Sequence, residues 1–490
     1  MKKIRKSLLL LLPLTLLASC KDKSEDKGGE MLGHFDHKVT IKFVQAYAQG
    51  YQSTLQQMVD EFKVLEPNVE INLEDGWLSG NYDTIHTQTI NDIKTGEYGD
   101  LVIAYADHVA DYLDYGKAVK LDPYMDNPEY GFTEDEKEDL VQGFLSEGRS
   151  LPIPGTWALP FSKSTEAMYY NKDRLIGLDL SAYDASINDG NPLTETYINN
   201  LTWEELFGKL CPAFAKYDAA NPTKPLIVQN EKMINSYVGY DSDSNLFITL
   251  AEQYGYGYTS MNEYGEASLD FNNDNMKKEV KVFAEAAKNK YFASAGCVGG
   301  SYCSSYFTAQ NCLFCIGSTA GVKNQNSSDF QVGVARIPQA DGKEAKVISQ
   351  GPSLCILSHG DKDRELASWL FYKHITSSEN SALWATTVGY LPVRTSSYTD
   401  EVYQDYCDET GKPERSLELL SSLNAQYSSK VSEYVFSTPA FKGSSTARTQ
   451  VGAVMLNAMK DARDGTTVDD AYLNAKFNAA VQNILKDMAA

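Results

Sequence analysis

From Val39 to Ala104 the chain alternates strand and helix patterns, and that alternation limits the possible folds more than any other feature of the sequence. Val39–Val44 alternates and then runs apolar, as a strand does. Tyr51, Leu55, Met58, Val59, Phe62 and Leu65 then recur at helical spacing and form one apolar stripe, which Pro67 ends. Val69, Ile71 and Leu73 share one face of a second strand, a polar helical stretch runs from Tyr82 to Lys94, and Leu101–Ala104 is a third, wholly apolar strand. Strand, helix, strand, helix, strand predicts an α/β fold on a parallel sheet with right-handed crossovers. In open sheets of this kind the ligand crevice lies beyond the carboxyl ends of the strands. The residues there are Tyr47 and Gln49, Trp77 and Ser79, and Tyr105 and Asp107, a set able to stack a ring and hydrogen-bond its hydroxyls.

At 490 residues the chain is too long for one ordinary core, so a second globular region is expected. The 42% of hydrophobic residues exclude wholesale disorder, and a formal net charge of -22 repels phosphate backbones, so nucleic acid is not an expected partner. The 31 tyrosines suit a wet, concave site that packs against sugar rings.

The N-terminus fixes the expected compartment. Lys2, Lys3, Arg5 and Lys6 precede an apolar run from Leu8 to Leu17, too short to span a bilayer comfortably, which reads as a signal peptide over residues 1–19. The run closes on Leu17-Ala18-Ser19-Cys20, which resembles the bacterial lipobox. That resemblance implies lipidation at Cys20, with the mature chain extracytoplasmic and tied to the bacterial cell membrane through the lipid alone. Residues 20–37 read as a flexible tether, because Lys21 to Glu30 contains no apolar side chain. His34 and His37 end it with no further metal ligands close in sequence.

Between Pro154 and Arg174 the chain leaves one lobe for another. Leu159-Pro160-Phe161 precedes Glu166-Ala167-Met168-Tyr169-Tyr170-Asn171-Lys172-Asp173. Glu66-Pro67-Asn68-Val69-Glu70-Ile71, Gly116 to Asp122 and Leu201-Thr202-Trp203-Glu204-Glu205-Leu206 follow in matching order, as do Gln350-Gly351-Pro352-Ser353 and Gly389-Tyr390-Leu391-Pro392-Val393-Arg394. Together these segments resemble the maltose-type family of extracellular solute-binding proteins of ABC importers. The resemblance implies a two-lobed periplasmic-binding-protein fold of type II, with chain crossings at Phe161, Gly351 and Tyr390. The lobes it implies are 38–160 with 353–389 and 161–352 with 390–490. A solute gripped between them would be handed to the importer's permease subunits by a monomer that needs no cofactor or metal and is not an enzyme.

From Phe307 to Gly321 the chain reads FTAQNCLFCIGSTAG, with Ser318 and Thr319 where many sugar-binding members carry Trp. A sugar or oligosaccharide is the first expectation. The departure brings in members that bind sn-glycerol-3-phosphate, where hydroxyls and backbone N–H groups cradle a phosphate. Arg394 either faces a carboxylate or phosphate or pairs with an acidic neighbour, and Arg448, in Gly443-Ser444-Ser445-Thr446-Ala447-Arg448, is a further phosphate candidate. A secreted glycoside hydrolase or a surface adhesin would share the composition, but neither would use three crossings. No nucleophile elbow, phosphate-binding P-loop or zinc-protease helix occurs.

Tyr240-Asp241-Ser242-Asp243-Ser244 reads as a helix cap and lacks the glycine and distant glutamate of a calcium loop. Setting Cys20 aside, Cys211, Cys297, Cys303, Cys312, Cys315, Cys355 and Cys407 are odd in number, so at least one is free or pairs elsewhere. A disulfide involving Cys297 or Cys303, a zinc site and buried free thiols all remain open.

Overall fold

The computed structural model describes residues 33–79, 82–230 and 233–489. Two five-stranded sheets organise them. The first has the order Val69–Asn72, Val39–Val44, Leu101–Ala104, Ser353–Ile356, Leu159–Pro160. Its first three strands are parallel, as their helical crossovers require. The sheet as a whole is mixed, because Ser353–Ile356 arrives from the other lobe and runs antiparallel to both its neighbours. Leu159–Pro160 closes the edge, the one place where a proline costs the sheet no ladder bond. Helix Gln49–Leu65 buries Leu55, Met58, Val59 and Phe62, the stripe visible in the sequence, and Phe371 of helix Lys362–Ile375 meets Phe62 and Phe43 ring to ring.

The second sheet has the order Val332–Ala335, Glu166–Asn171, Phe314–Ser318, Val238–Tyr240, Phe292–Ser294. Glu166–Asn171 runs antiparallel to its two neighbours and all six of its residues are buried. Helices Asp243–Tyr254, Asp274–Lys288, Ser444–Arg463 and Asp470–Ala489 pack together in this lobe.

Each sheet sits in its own apolar core, and the chain changes core between Phe161 and Ala167, between Ile348 and Leu354, and between Val388 and Leu391, while Val141 and Phe144 also pack into the second core and Ala440 into the first. The three crossing segments lie side by side: Ser164 bridges Gln350 and Lys163 bridges Leu391. Gly351 stands at φ 81°, where a Cβ would come within 2.0 Å of the Ser162 carbonyl oxygen, so only glycine fits this crossing. The molecule is an α/β, two-lobed binding-protein fold with a multi-strand hinge.

Several local expectations meet the structure here. His34 and Phe35, assigned to the tether, are in fact docked, while Asp36 and His37 are exposed: Phe35 lies in the first core and His34 Nδ1 meets the Glu66 carboxylate at 2.5 Å. Cys20 and the export segment lie outside the described residues. Ser242 caps helix Asp243–Tyr254 by accepting from the Asn245 N–H, and Thr202 accepts from the Glu205 N–H in the same way. Cys303 and Cys315 form a disulfide that staples the start of helix Ser304–Thr308 to the neighbouring strand, while Cys211, Cys297, Cys312, Cys355 and Cys407 are free. No helix among the described residues is long and apolar enough to cross a membrane.

Candidate functional site

A cavity of about 520 Å³ lies between the lobes. Two helices of the second lobe begin on it. Ser242, Ser244 and Asn245 open the first; Ser444, Ser445 and Arg448 open the second, whose N-cap Gly443 takes φ 96°. The first turn of a helix leaves N–H groups without intrahelical partners and carries a partial positive charge. Hydroxyls, the positive ends of two helices and a guanidinium therefore meet on one wall, a composition that suits an anionic oxygen group.

The opposite wall comes from the first lobe. Tyr105, Asp107 and His108 stand where strand Leu101–Ala104 passes into helix Ala106–Asp114, with Asp83 from the neighbouring helix. Carboxylates here accept from hydroxyl donors, and Tyr105 supplies an aromatic face. His108 stacks on His86 with ring centroids 4.3 Å apart, and burial holds its imidazole below the usual range. The crossing strands form the floor: Glu147, Ser349 and Gln350 line it, and Glu147 is bonded at 2.5 Å to Lys163, which is fully buried and also donates to the Gly351 carbonyl at 2.6 Å.

Behind the anion-compatible wall runs a buried polar chain. An Arg448 N–H donates to Asn245 Oδ1; Asn245 Nδ2 donates to Glu166 Oε1 at 2.9 Å; the Tyr240 hydroxyl donates to Glu166 Oε2. Burial pushes the Glu166 carboxyl up to about 7, against the pull of Tyr240 and Asn245.

Of the residues expected from sequence, Tyr105, Asp107 and Arg448 line this cavity. Tyr47 is buried at the hinge, its hydroxyl 2.6 Å from Ser162 Oγ, and Phe161 stacks on Trp384 at 5.3 Å. The Ser318 hydroxyl donates to Ser164 Oγ at 3.3 Å, and Thr319 Oγ1 accepts from the Thr165 N–H, so both serve the crossing strands, as Gly351 does. Tyr390 shares a 2.7 Å hydrogen bond with Tyr82. The Trp77 indole donates to the Tyr47 carbonyl at 3.0 Å, while Gln49 and Ser79 are exposed. Arg394 does not reach the cavity. It is 3% exposed and donates to the carbonyls of Thr376 and Glu136, with Asp139 at 3.4 Å, so its fork is taken up by the scaffold. The serines at residues 242–245 and 444–445 and the Tyr258 ring escaped the sequence reading as site residues. The two cap-like runs, DSDSN and GSSTAR, carried a signal for the serines, since a helix start can present hydroxyls to a ligand; nothing in the sequence marked Tyr258.

Residues 57–408 match the family described as bacterial extracellular solute-binding protein. The chain is 24% identical over 384 residues to the sn-glycerol-3-phosphate-binding periplasmic protein UgpB of Escherichia coli K12, covering 76% of this chain and 78% of that one. Its fold is shared with UgpB from Mycobacterium tuberculosis in complex with glycerophosphocholine, with a TM-score of 0.65 and 16% identity over 92% of this chain and 100% of that one. The sugar-binding protein MalE from Xanthomonas citri superposes with a TM-score of 0.67 at 14% identity, over 91% of this chain and 98% of that one. A match over most of the chain, a two-lobed fold and a cavity at the lobe junction lead to one statement: the chain belongs to the bacterial extracellular solute-binding proteins, a family of binders rather than enzymes.

Proposed function

We propose that this protein is the lipid-anchored solute-binding component of an ABC importer, and that its solute is a phosphorylated polyol of the glycerol phosphate class rather than an oligosaccharide. The observation that carries this reading is Arg448, set between two helix N-termini on one wall of the inter-lobe cavity. The first-lobe carboxylates Asp83 and Asp107 suit the hydroxyls of a short polyol. Among the described residues the aromatic lining is confined to Tyr105, Tyr258 and the His108 imidazole, with no tryptophan, which gives little platform for a chain of sugar rings. The relatives named for sn-glycerol-3-phosphate binding support the same direction. Closure of the lobes would bury the solute and favour the closed arrangement by the difference in affinity between the two states. Export, acylation at Cys20 and delivery to permease subunits complete the proposal.

Calorimetric titration and thermal shift with sn-glycerol-3-phosphate, glycerophosphocholine and maltose test it. Saturation with a phosphate ester at about 100 times its Kd adds roughly 2.7 kcal/mol of stability. Binding of maltose with no response to either phosphate ester would overturn the ligand class and restore the sugar reading. Retention of a Cys20→Ala variant on membranes would overturn the anchor.

A further inference from the structure

The buried chain behind Arg448 is more than packing, because each link in it has a fixed direction. A guanidinium only donates, so the Asn245 oxygen faces Arg448; a carboxylate only accepts, so the Asn245 amide nitrogen faces Glu166. Asn245 is thereby polarised between an acid and a base, and its rotamer depends on both. Glu166 is 1% exposed, and this amide links it to the guanidinium that lines the cavity.

We propose that Glu166 is a positioning residue for the anionic end of the solute, aiming and tempering the Arg448 charge through Asn245, so that capture of an anion is accompanied by uptake of a proton at Glu166. This inference rests on the anion reading of the cavity. The ionised carboxylate offsets part of the guanidinium's potential. An anion arriving at Arg448 disfavours that second negative charge, and the carboxylate takes a proton from solvent.

The surroundings accommodate both forms. Facing Glu166 are Tyr240 and Asp241 from the adjoining strand and its following turn, Asn245 and Arg448 from the two helices, and Tyr427, whose hydroxyl donates to the Glu166 backbone carbonyl at 2.7 Å. Asp241 is itself engaged by the Cys303 N–H at 2.6 Å. In the protonated form the Glu166 O–H turns to the Tyr240 oxygen, and the Tyr240 hydroxyl turns to the buried Thr249 hydroxyl beside it. The burial that pushes Glu166 up to about 7 puts this exchange within the working range of an exported protein.

The experiment titrates the purified chain with glycerophosphocholine and, in parallel, with sn-glycerol-3-phosphate. The phosphodiester of the first keeps one charge across the series, and the second is confined to the alkaline part, where it is a dianion. Affinity should fall about 3- to 10-fold from about pH 6 to about pH 8.5, as expected where one group changes charge. Titrations near neutral pH in buffers of different ionisation enthalpy should show fractional proton uptake per solute bound. Glu166→Gln reproduces the hydrogen-bond pattern of the protonated form, so it should bind at alkaline pH as tightly as the parent does at acidic pH, with no slope. Asn245→Ser cuts the relay while leaving the Tyr240 bond to Glu166, and should also flatten the slope. The parent's proton uptake decides the matter should Glu166→Gln fail to fold. Flat affinity with no proton uptake, or a slope that survives in Glu166→Gln, overturns the proposal while leaving the anion reading intact. Binding of neither ester at any pH overturns both.

Discussion

Arg394 and Arg448 bring the same charge into opposite surroundings. Arg394 is locked by the carbonyls of Thr376 and Glu136 and lies over the Phe132 ring at 5.2 Å; Arg448 donates to Asn245 and lines the cavity. Arg394→Met leaves buried acceptors unpaired and should cost about 2–4 kcal/mol of stability, read as a lower denaturation midpoint, with solute affinity nearly unchanged in the folded fraction. Arg448→Met should do the reverse: little loss of stability, and an affinity for glycerol phosphates weaker by roughly 10- to 100-fold, the scale of one or two charge-assisted hydrogen bonds. Equal effects on both properties in either variant would contradict this division. The sequence made Arg394 the more conspicuous residue because it ends a segment that resembles a crossing. A crossing is also where backbone carbonyls need a donor, and a motif cannot distinguish the two uses. Arg448 follows a helix start like many others, and only the tertiary arrangement selects which helix start faces the gap between the lobes.

At the scale of elements, the first-lobe alternation was readable because each strand or helix carries its own periodicity. The helix expected from Tyr51 to Leu65 forms as Gln49–Leu65, and the strand at Leu101–Ala104 forms with the same bounds. The antiparallel strands escaped for a physical reason. Leu159–Pro160 is two residues long and has no period, and the direction of Ser353–Ile356 is set by where the chain re-enters the lobe. What holds the crossings together was also invisible. Lys163, on the first crossing, is fully buried and bonds Glu147 and the carbonyl of Gly351 on the second. A buried ammonium is tolerated only when paired and hydrogen-bonded, so this group ties two crossings into one hinge. Lys163→Met removes one partner and leaves the Glu147 carboxylate against the cavity floor. Stability should fall by about 3–5 kcal/mol, the usual result of breaking a buried pair on one side. Lys163→Met combined with Glu147→Leu should recover much of that loss, since no charge is left unpaired. Failure of the double variant to recover would mean that the bond to Gly351, rather than the ion pair, is the main contribution.

At the scale of the whole molecule, the net charge of -22 was plain from composition, but the placement of its acids was not. Among the described residues four carboxyls are raised by burial: Glu166 and Glu279 to about 7, and Asp241 and Asp243 to about 6. In each case the folded state holds its proton more tightly than the unfolded chain, where carboxyls titrate in their ordinary range. Their stabilising contribution is therefore complete below that range and is lost as pH rises through the folded values. Asp139 and Glu365 act in the opposite sense. Burial pushes their carboxyls up, but hydrogen bonds from Ser396 and Thr395, and from Lys362, Ser358 and Tyr124, outweigh it and hold them below the ordinary range, so their contribution is lost on acidification. Between the two groups lies a maximum, displaced to the acidic side of neutrality because the raised acids release their protons at about 6 to 7, so their contribution is lost as pH climbs through neutrality. Repulsion among the remaining carboxylates grows with pH and adds to the displacement. The melting temperature of the solute-free chain should thus be higher near pH 5 than near pH 8, by about 3–8 °C for one or two groups changing charge in a chain of this size. In Glu166→Gln the difference should shrink without vanishing, because Glu279, Asp241 and Asp243 still titrate in the same window. A melting temperature that rises steadily from acid to pH 8 would mean that these acids are not protonated in the folded chain. The polar chain from Glu166 to Arg448 would then be a permanent ion-pair network rather than a titrating one.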